Sequence, residues 1–424
     1  MTSGMAAGAL AVMTAVVFVW GTFSARLTRS DVTGPIVFVG VGMLIAATPP
    51  LGAHTRTEAV MVLTEATLVW VLFSDASRVG LRELRTDAGL YGRLLGVGLP
   101  LTVAAGAVCA WWLLDVPVWP ALLIGAALAP TDAALGAIVI THPAVPARIR
   151  RLLNVESGLN DGIVTPIVLV ALAGVATAGG HGGSSVLDAV VQLAVGVAVG
   201  TAGGRLMRTA GARGWVQESF AGPAVLALAL STYAAAVACH GNGFVAAFAG
   251  GIAFGHMAGD RGPRGAFYVE QTAGLASLLV WTLVGAVAVP LLYGRLDWPV
   301  AGYVVLSLTV VRIIPVALSL AGAGLGRRTV LFVAWFGPRG LASVVFSLLA
   351  VEELGAAATP VVVVIVSTIL MSVLAHGVTA GPLAARYGAG TPPDRPPLRE
   401  PAHTARLSWR VQDSARPPAD RKSS

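Results

Sequence analysis

The sequence predicts an all-α polytopic membrane protein, and three observations carry the prediction. Of its 424 residues, 56% are hydrophobic and only 12% charged, about half the charged fraction of a soluble globular chain. Apolar runs of about 20 residues, the length that crosses a hydrocarbon core, follow one another along most of the chain. The 51 glycines suit helices whose backbones approach closely in lipid.

Thirteen segments read as spans: about 5–23, 34–52, 59–77, 94–114, 118–140, 157–178, 187–207, 221–240, 243–258, 271–293, 299–321, 329–351 and 359–384. The eighth and ninth are parted by little more than His240-Gly241-Asn242. The first lacks a positive stretch ahead of its apolar run and reads as a retained span, not a cleaved leader.

The basic residues test the count through the positive-inside rule. Alternate loops carry Arg26, Arg29, Arg78, Arg82, Arg85, Arg93, Arg148, Arg150, Arg151, Arg205, Arg208, Arg213, Arg261, Arg264, Arg327 and Arg328, whereas the opposite loops carry only Arg56 and Arg295. Miscounting by one span would mix the two sets. The asymmetry therefore predicts a multi-pass protein of the inner membrane with its N-terminus outside and its C-terminus in the cytoplasm. Loop topology thus accounts for the net charge of +7, and no nucleic-acid partner is needed. Residues 1–384 read as the transmembrane domain. Residues 385–424, rich in Pro and Arg, read as a disordered cytoplasmic tail. Cys109 and Cys239 have no partner motif and read as buried free thiols.

An ionisable side chain at mid-bilayer costs about 2.5–3.5 kcal/mol on insertion scales, so it needs a partner or a task. The candidates are Asp75, Asp132, Glu156, Asp161, Arg312 and Arg339. Pro130 lacks an N–H and interrupts the fifth span beside Thr131 and Asp132. Such a break is tolerated only where it is buried or lines a cavity. A broken helix beside a carboxylate builds ion sites in secondary transporters; a proline kink with a locally bonded Asp is the other reading.

Ser157 and Asp161, four apart, share a helix face, and Glu156 and Asn160 share the next. N-terminal capping would explain Glu156 and Ser157, but Asp161 lies too far along. Arg312, fourteen residues into the eleventh span, needs an anion, and Glu156 is the acid left over for it. Gly337-Pro338 and Gly340 around Arg339 mark a second interrupted span, the twelfth. The fifth and twelfth spans hold matching places in the two halves, the pointer to an inverted repeat. Asp75 is either a helix-end carboxylate near Arg78 or part of an ion pathway.

The stretches APTD (Ala129 to Asp132), ESGLNDG (Glu156 to Gly162), GNGFVAAFAGG (Gly241 to Gly251) and WFGPRGLASVVF (Trp335 to Phe346) resemble the cation:proton antiporter-1 family of sodium/proton exchangers. The resemblance runs from the fifth to the twelfth span. It implies two inverted repeats with crossed interrupted helices, alternating access, and a homodimer. The core spans would be about 94–178 and 299–384, and the dimerisation spans about 5–77 and 187–293. Asp161 and Asp132 would bind cation or proton, with Ser157 and the Thr131 backbone as further ligands. Asn160 would hold the helix break, Glu156 would pair with Arg312, and the third-span acid falls on Asp75. Ala133 departs from the proline usual after the Thr-Asp pair.

The expected activity is exchange of a monovalent cation, Na⁺ first with Li⁺ or K⁺ as alternatives, for H⁺. No cofactor is implied. The untitratable Asn160, where related antiporters with Asp are electrogenic, implies electroneutral exchange. A cation channel gives no reason for proton competition. A membrane hydrolase would need an H-E-x-x-H or G-x-S-x-G motif, which the sequence lacks. A non-transporting sensor gives no reason to keep Asp132, Asp161 and Arg312 together. His142, His181, His240, His256 and Glu270, near span ends, read as solvated or packing residues.

Overall fold

In lipid the backbone must satisfy its own polar groups, and the apolar runs do so as helices. The computed structural model describes residues 2–28, 33–47, 57–79, 85, 87–178, 186–255 and 262–389. Arg29, Arg56, Arg82, Arg261, His181, His256 and the tail from residue 390 lie outside them. Helix occupies every expected span. We label them α1 (Thr2–Thr28), α2 (Gly34–Ala47), α3 (Thr57–Arg78), α4 (Ala88–Leu113), α5 (Val118–Ala127 and Ala137–Thr141), α6 (Ala147–Ala178) and α7 (Val186–Ala212). There follow α8 (Ala221–Ala238), α9 (Gly243–Gly255), α10 (Gly262–Leu283), α11 (Trp298–Leu308 and Val310–Ser319), α12 (Arg327–Trp335 and Leu341–Leu354) and α13 (Thr359–Ala389). Among the described residues, seven stretches are long and apolar enough to cross a membrane; the last, Leu341–Ala389, joins half of α12 to α13 through a 3-10 turn at Gly355–Ala358.

Several features differ from the sequence reading. Helix α6 starts at Ala147, not near 157, because its charged first turns are helical without being apolar. Glu156 and Ser157 therefore sit well inside the helix, where no free N–H groups remain to be capped. Helix α13 runs on to Ala389, so the expected tail begins as helix. Helix α11 breaks at Thr309 (φ −112°, ψ −89°), whose hydroxyl donates to the Val305 carbonyl at 2.6 Å, while Pro315 removes a donor one turn later. Helix α4 contains a π-turn at Leu94–Gly98, and α10 runs directly into one at Val284–Ala288. Cys239 is exposed and Cys109 half-buried, both free. Cys239 caps the C-terminal end of α8 at an exposed turn.

The helices pack in two groups. In one, α7, α8 and α10 surround α3 and α9, with α2 against α10. In the other, α4 packs on α5 and α11, α5 on α6, and α13 on α11 and α12. Helix α6 reaches across to α3 and α9. The interrupted helices α5 and α12 are the middle members of the triplets α4–α6 and α11–α13. Four helices, an even number, separate the three-helix triplets, so they run in opposite senses, as an inverted repeat requires.

Small residues set the closest approaches. A Cβ at Gly125 of α5 would lie 2.5 Å from the Ala107 nitrogen and 2.6 Å from the Val103 carbonyl oxygen, both in α4. Gly211, near the end of α7, faces open space. Gly125→Val is expected to lower unfolding stability in detergent by about 1–3 kcal/mol, the cost of overpacking, and Gly211→Val to leave it unchanged within about 0.5 kcal/mol. Thermal unfolding of the purified variants measures both.

Candidate functional site

Two backbone breaks meet at the centre of the second helix group. Each frees N–H and C=O groups that water cannot reach, so the protein must supply partners. The Asp132 N–H donates to the Pro338 carbonyl at 2.8 Å, joining the breaks directly. Asp132 Oδ2 accepts from the Leu341 N–H at 3.1 Å, where the second half of α12 begins. Its Oδ1 accepts from the Ala134 and Leu135 N–H groups at 2.7 and 3.3 Å. One carboxylate thus caps backbone on both sides of the crossing. The local bonding considered for Asp132 is present, together with a long-range bond across the crossing. Pro130 is buried at the extended turn, and Ala133 opens the turn that leads into the second half of α5.

Arg339 is fully buried. Its Nη1 donates to the Ala129 carbonyl at 3.1 Å and its Nη2 to the Ser307 carbonyl at 3.4 Å. Its own N–H donates to Ser372 Oγ at 2.8 Å. The Trp335 carbonyl, where the first half of α12 ends, accepts from the Gly337 N–H and from the His376 Nε2–H, each at 2.9 Å. The sequence reading missed Ser307, Ser372 and His376. All three are long-range partners, and no local pattern marks them.

Thr131 anchors α6 to the break. Asn160 Nδ2 donates to Thr131 Oγ1 at 2.7 Å, and Ser157 Oγ is 2.9 Å from the same hydroxyl. Asn160 Oδ1, also buried, has no hydrogen-bond partner among the described residues. Arg312 Nη2 meets Glu156 Oε1 at 2.6 Å, with the two side chains 2% and 4% exposed, so the pair expected between them is formed. Gly337 passes over this pair. A Cβ there would lie 2.6 Å from Arg312 Nε and 2.9 Å from Thr131 Cγ2. A Cβ at Gly340 would collide with the Asp132 carboxylate. The two glycines are thus required by close approach as much as by the break itself.

Asp161, buried on α6, lies within electrostatic reach of Asp75 and Asp132. Asp75 is partly buried on α3 and within electrostatic reach of Arg78, Asp132 and Glu270. A narrow cleft lined by Asp75, Arg78, Ala133, Asn154 and Gly158 leads between α3, the α5 break and α6. The helix-end reading of Asp75 also has its contact, Arg78 Nη1 at 3.8 Å. His142 takes a local cap, its Nδ1 accepting from the Ala144 N–H at 3.2 Å, and His240 is exposed at a turn.

Fold and site together define a multi-pass helical membrane protein with crossed, interrupted helices and acidic residues at their crossing. The family model described as "Sodium/hydrogen exchanger, transmembrane" matches residues 12–386, and the chain belongs to that family. It is 25% identical over 333 residues to the K(+)/H(+) antiporter NhaP of Alkalimonas amylolytica, covering 76% of this chain and 57% of that one. It is 32% identical over 130 residues to a sodium, potassium, lithium and rubidium/H(+) antiporter of Bacillus pumilus, covering 30% and 19%. The chain spans about half the length or less of these curated relatives. Its fold matches the sodium proton antiporter MjNhaP1 of Methanocaldococcus jannaschii with a TM-score of 0.72 at 18% identity, covering 91% of this chain and 99% of that one.

The Glu156–Arg312 pair makes a stability prediction. Removing one partner strands a buried charge, which costs about 3–5 kcal/mol. Arg312→Met alone should therefore lower unfolding stability by about that amount, and Glu156→Gln added to it should recover most of the loss. Thermal unfolding of the single and double variants in one detergent decides it.

Proposed function

We propose that this protein is a secondary antiporter that exchanges a monovalent alkali cation for H⁺ by alternating access. The observation that carries the reading is the meeting of Asp132 and Thr131, at the α5 break, with Ser157, Asn160 and Asp161 on α6. The arrangement offers hard oxygen ligands, which suit alkali cations, at membrane depth. The names of the related antiporters support K⁺ as well as Na⁺ as the cargo.

In this mechanism Asp161 and Asp132 hold either a proton or the cation. Ser157 Oγ, the Thr131 backbone and Asp75 supply further oxygens. A neutralised site can cross the low-dielectric barrier, whereas an empty anionic site cannot, because desolvating an unpaired charge costs too much. Competition for one set of carboxylates then suffices for coupling. Asn160 pins Thr131, and Arg339 and Pro130 maintain the two breaks. Glu156 neutralises Arg312 and takes no part in exchange.

The core would comprise residues of about 94–178 and 299–384 and move against dimerisation spans of about 5–77 and 187–293 in a homodimer. The packing of the helices into two groups supports that division. The arginine-rich loops support an N-terminus outside and a C-terminus in the cytoplasm.

Reconstitution into liposomes carrying a luminal pH dye tests the activity. Outward addition of Na⁺, K⁺ or Li⁺ is expected to raise luminal pH with at least one cation, and Asp161→Asn is expected to abolish the change. A wild-type protein silent with every cation between about pH 6 and 9 overturns the reading. With Asn160 unable to titrate, the exchange rate should not vary when the membrane potential is clamped with K⁺ and valinomycin, using Na⁺ as the transported ion. A clear voltage dependence would falsify one-for-one exchange.

A further inference from the structure

Glu270, on α10, has no part in the ligand set above, yet its Oε1 lies 3.0 Å from Arg78 Nη2. The other arm of the same guanidinium, Nη1, is 3.8 Å from Asp75 Oδ1. Nη2 also donates to Ser74 Oγ at 3.3 Å. One cationic group therefore stands between two carboxylates and is held closer to the one outside the cleft. Asp75 and Arg78 both line the cleft, together with Ala133 at the α5 break and Gly158 on α6. Asp75 is in turn an electrostatic neighbour of Asp132 and Asp161.

A guanidinium keeps its charge at any physiological pH. Swung fully onto Asp75, Arg78 would act as a tethered cation, always present and competing with the alkali ion for the carboxylate at the cleft. The side chains of Arg78 and Glu270 are 33% and 22% exposed, so their geometry can rearrange. Glu156–Arg312, by contrast, is locked among buried groups.

We propose that Glu270 is a positioning residue that draws the Arg78 guanidinium off Asp75 and so keeps the cleft open to the transported cation. The proposal rests on the antiport reading. It differs from a plain tie between α10 and α3, because its effect runs through Arg78 and falls on cation affinity.

The test uses the full chain in proteoliposomes, with KM and Vmax measured for Na⁺ and K⁺. Glu270→Gln should raise the cation KM about ten-fold, equivalent to ~1.4 kcal/mol, with Vmax changed by less than about two-fold. Glu270→Asp, which keeps the charge, should restore most of the affinity. Arg78→Gln should lower KM below the wild-type value, and Glu270→Gln with Arg78→Gln should lose the ten-fold rise. A structural tie predicts the opposite for the double variant, which would then be no better than Glu270→Gln alone. An unchanged KM in Glu270→Gln, or a double variant that keeps the high KM, overturns the proposal. Should Glu270→Gln fail to accumulate, Arg78→Gln decides: a KM equal to or above wild type overturns it. An inactive wild type sinks the antiport reading and this inference with it, whereas an active wild type with an indifferent Glu270→Gln sinks this inference alone.

Discussion

The hydrogen bond from the Asp132 N–H to the Pro338 carbonyl is the contact on which the rest of the site depends. Two helices that stop inside a low-dielectric slab expose peptide groups that cost several kcal/mol each if left unpaired. Crossing the two breaks lets each supply partners to the other. The Ala129 carbonyl takes a donor from Arg339, and the Leu341 N–H finds the Asp132 carboxylate. Neither break could persist alone, and that mutual dependence explains why glycine is held at 337 and 340. A Cβ at 337 would meet the Arg312 and Thr131 side chains, and one at 340 the Asp132 side chain.

Around this crossing the protein uses its few charges in distinct ways. Glu156 and Arg312 neutralise each other in a dry setting, where the pair fixes α6 against α11. Arg339 spends its charge on backbone carbonyls, a donor set that a helix end would otherwise leave to water. Asp132 is divided between capping duty and its place near Asp161. Of the two buried acids among the described residues, Glu156 is paired with Arg312, whereas Asp161 makes no side-chain ion pair. Its backbone carbonyl accepts from Thr165, and its electrostatic neighbours are acids.

The cleft beside Asp75 links this centre to the first helix group. Helices α3 and α6 meet at Gly158, where a Cβ would lie in ordinary van der Waals contact with the Asp75 carbonyl. Arg78 and Glu270 extend the charged chain from α3 to α10. The surface where one helix group meets the other therefore carries charge at the cleft and small or aromatic residues elsewhere, such as Gly162 against Phe248. Close packing with few polar ties suits two bodies that slide, if the core moves as proposed.

Much of this was legible in the sequence, because its signals are local. Apolar length gave each span a helix, and the arginine asymmetry protected the count against a slip. Pro130 and Gly337-Pro338 announced both breaks, since proline removes a donor wherever it falls. Four-residue spacing put Ser157 with Asp161 on one face. Arg312 could be paired with Glu156 because so few buried acids exist. The errors were also physical. Hydropathy hid the polar first turns of α6, and the reading passed over Pro315, which follows the α11 break at Thr309 by six residues. Ser372, His376, Ser307 and the Arg78–Glu270 contact had no signal, for each partner lies 32 residues or more away in the chain or on a separate helix. Sequence by itself determined which residues must be helical, which must be broken and which charges need partners, because backbone and burial costs are paid residue by residue. Only the tertiary structure decided who the partners are, because that depends on which helices cross.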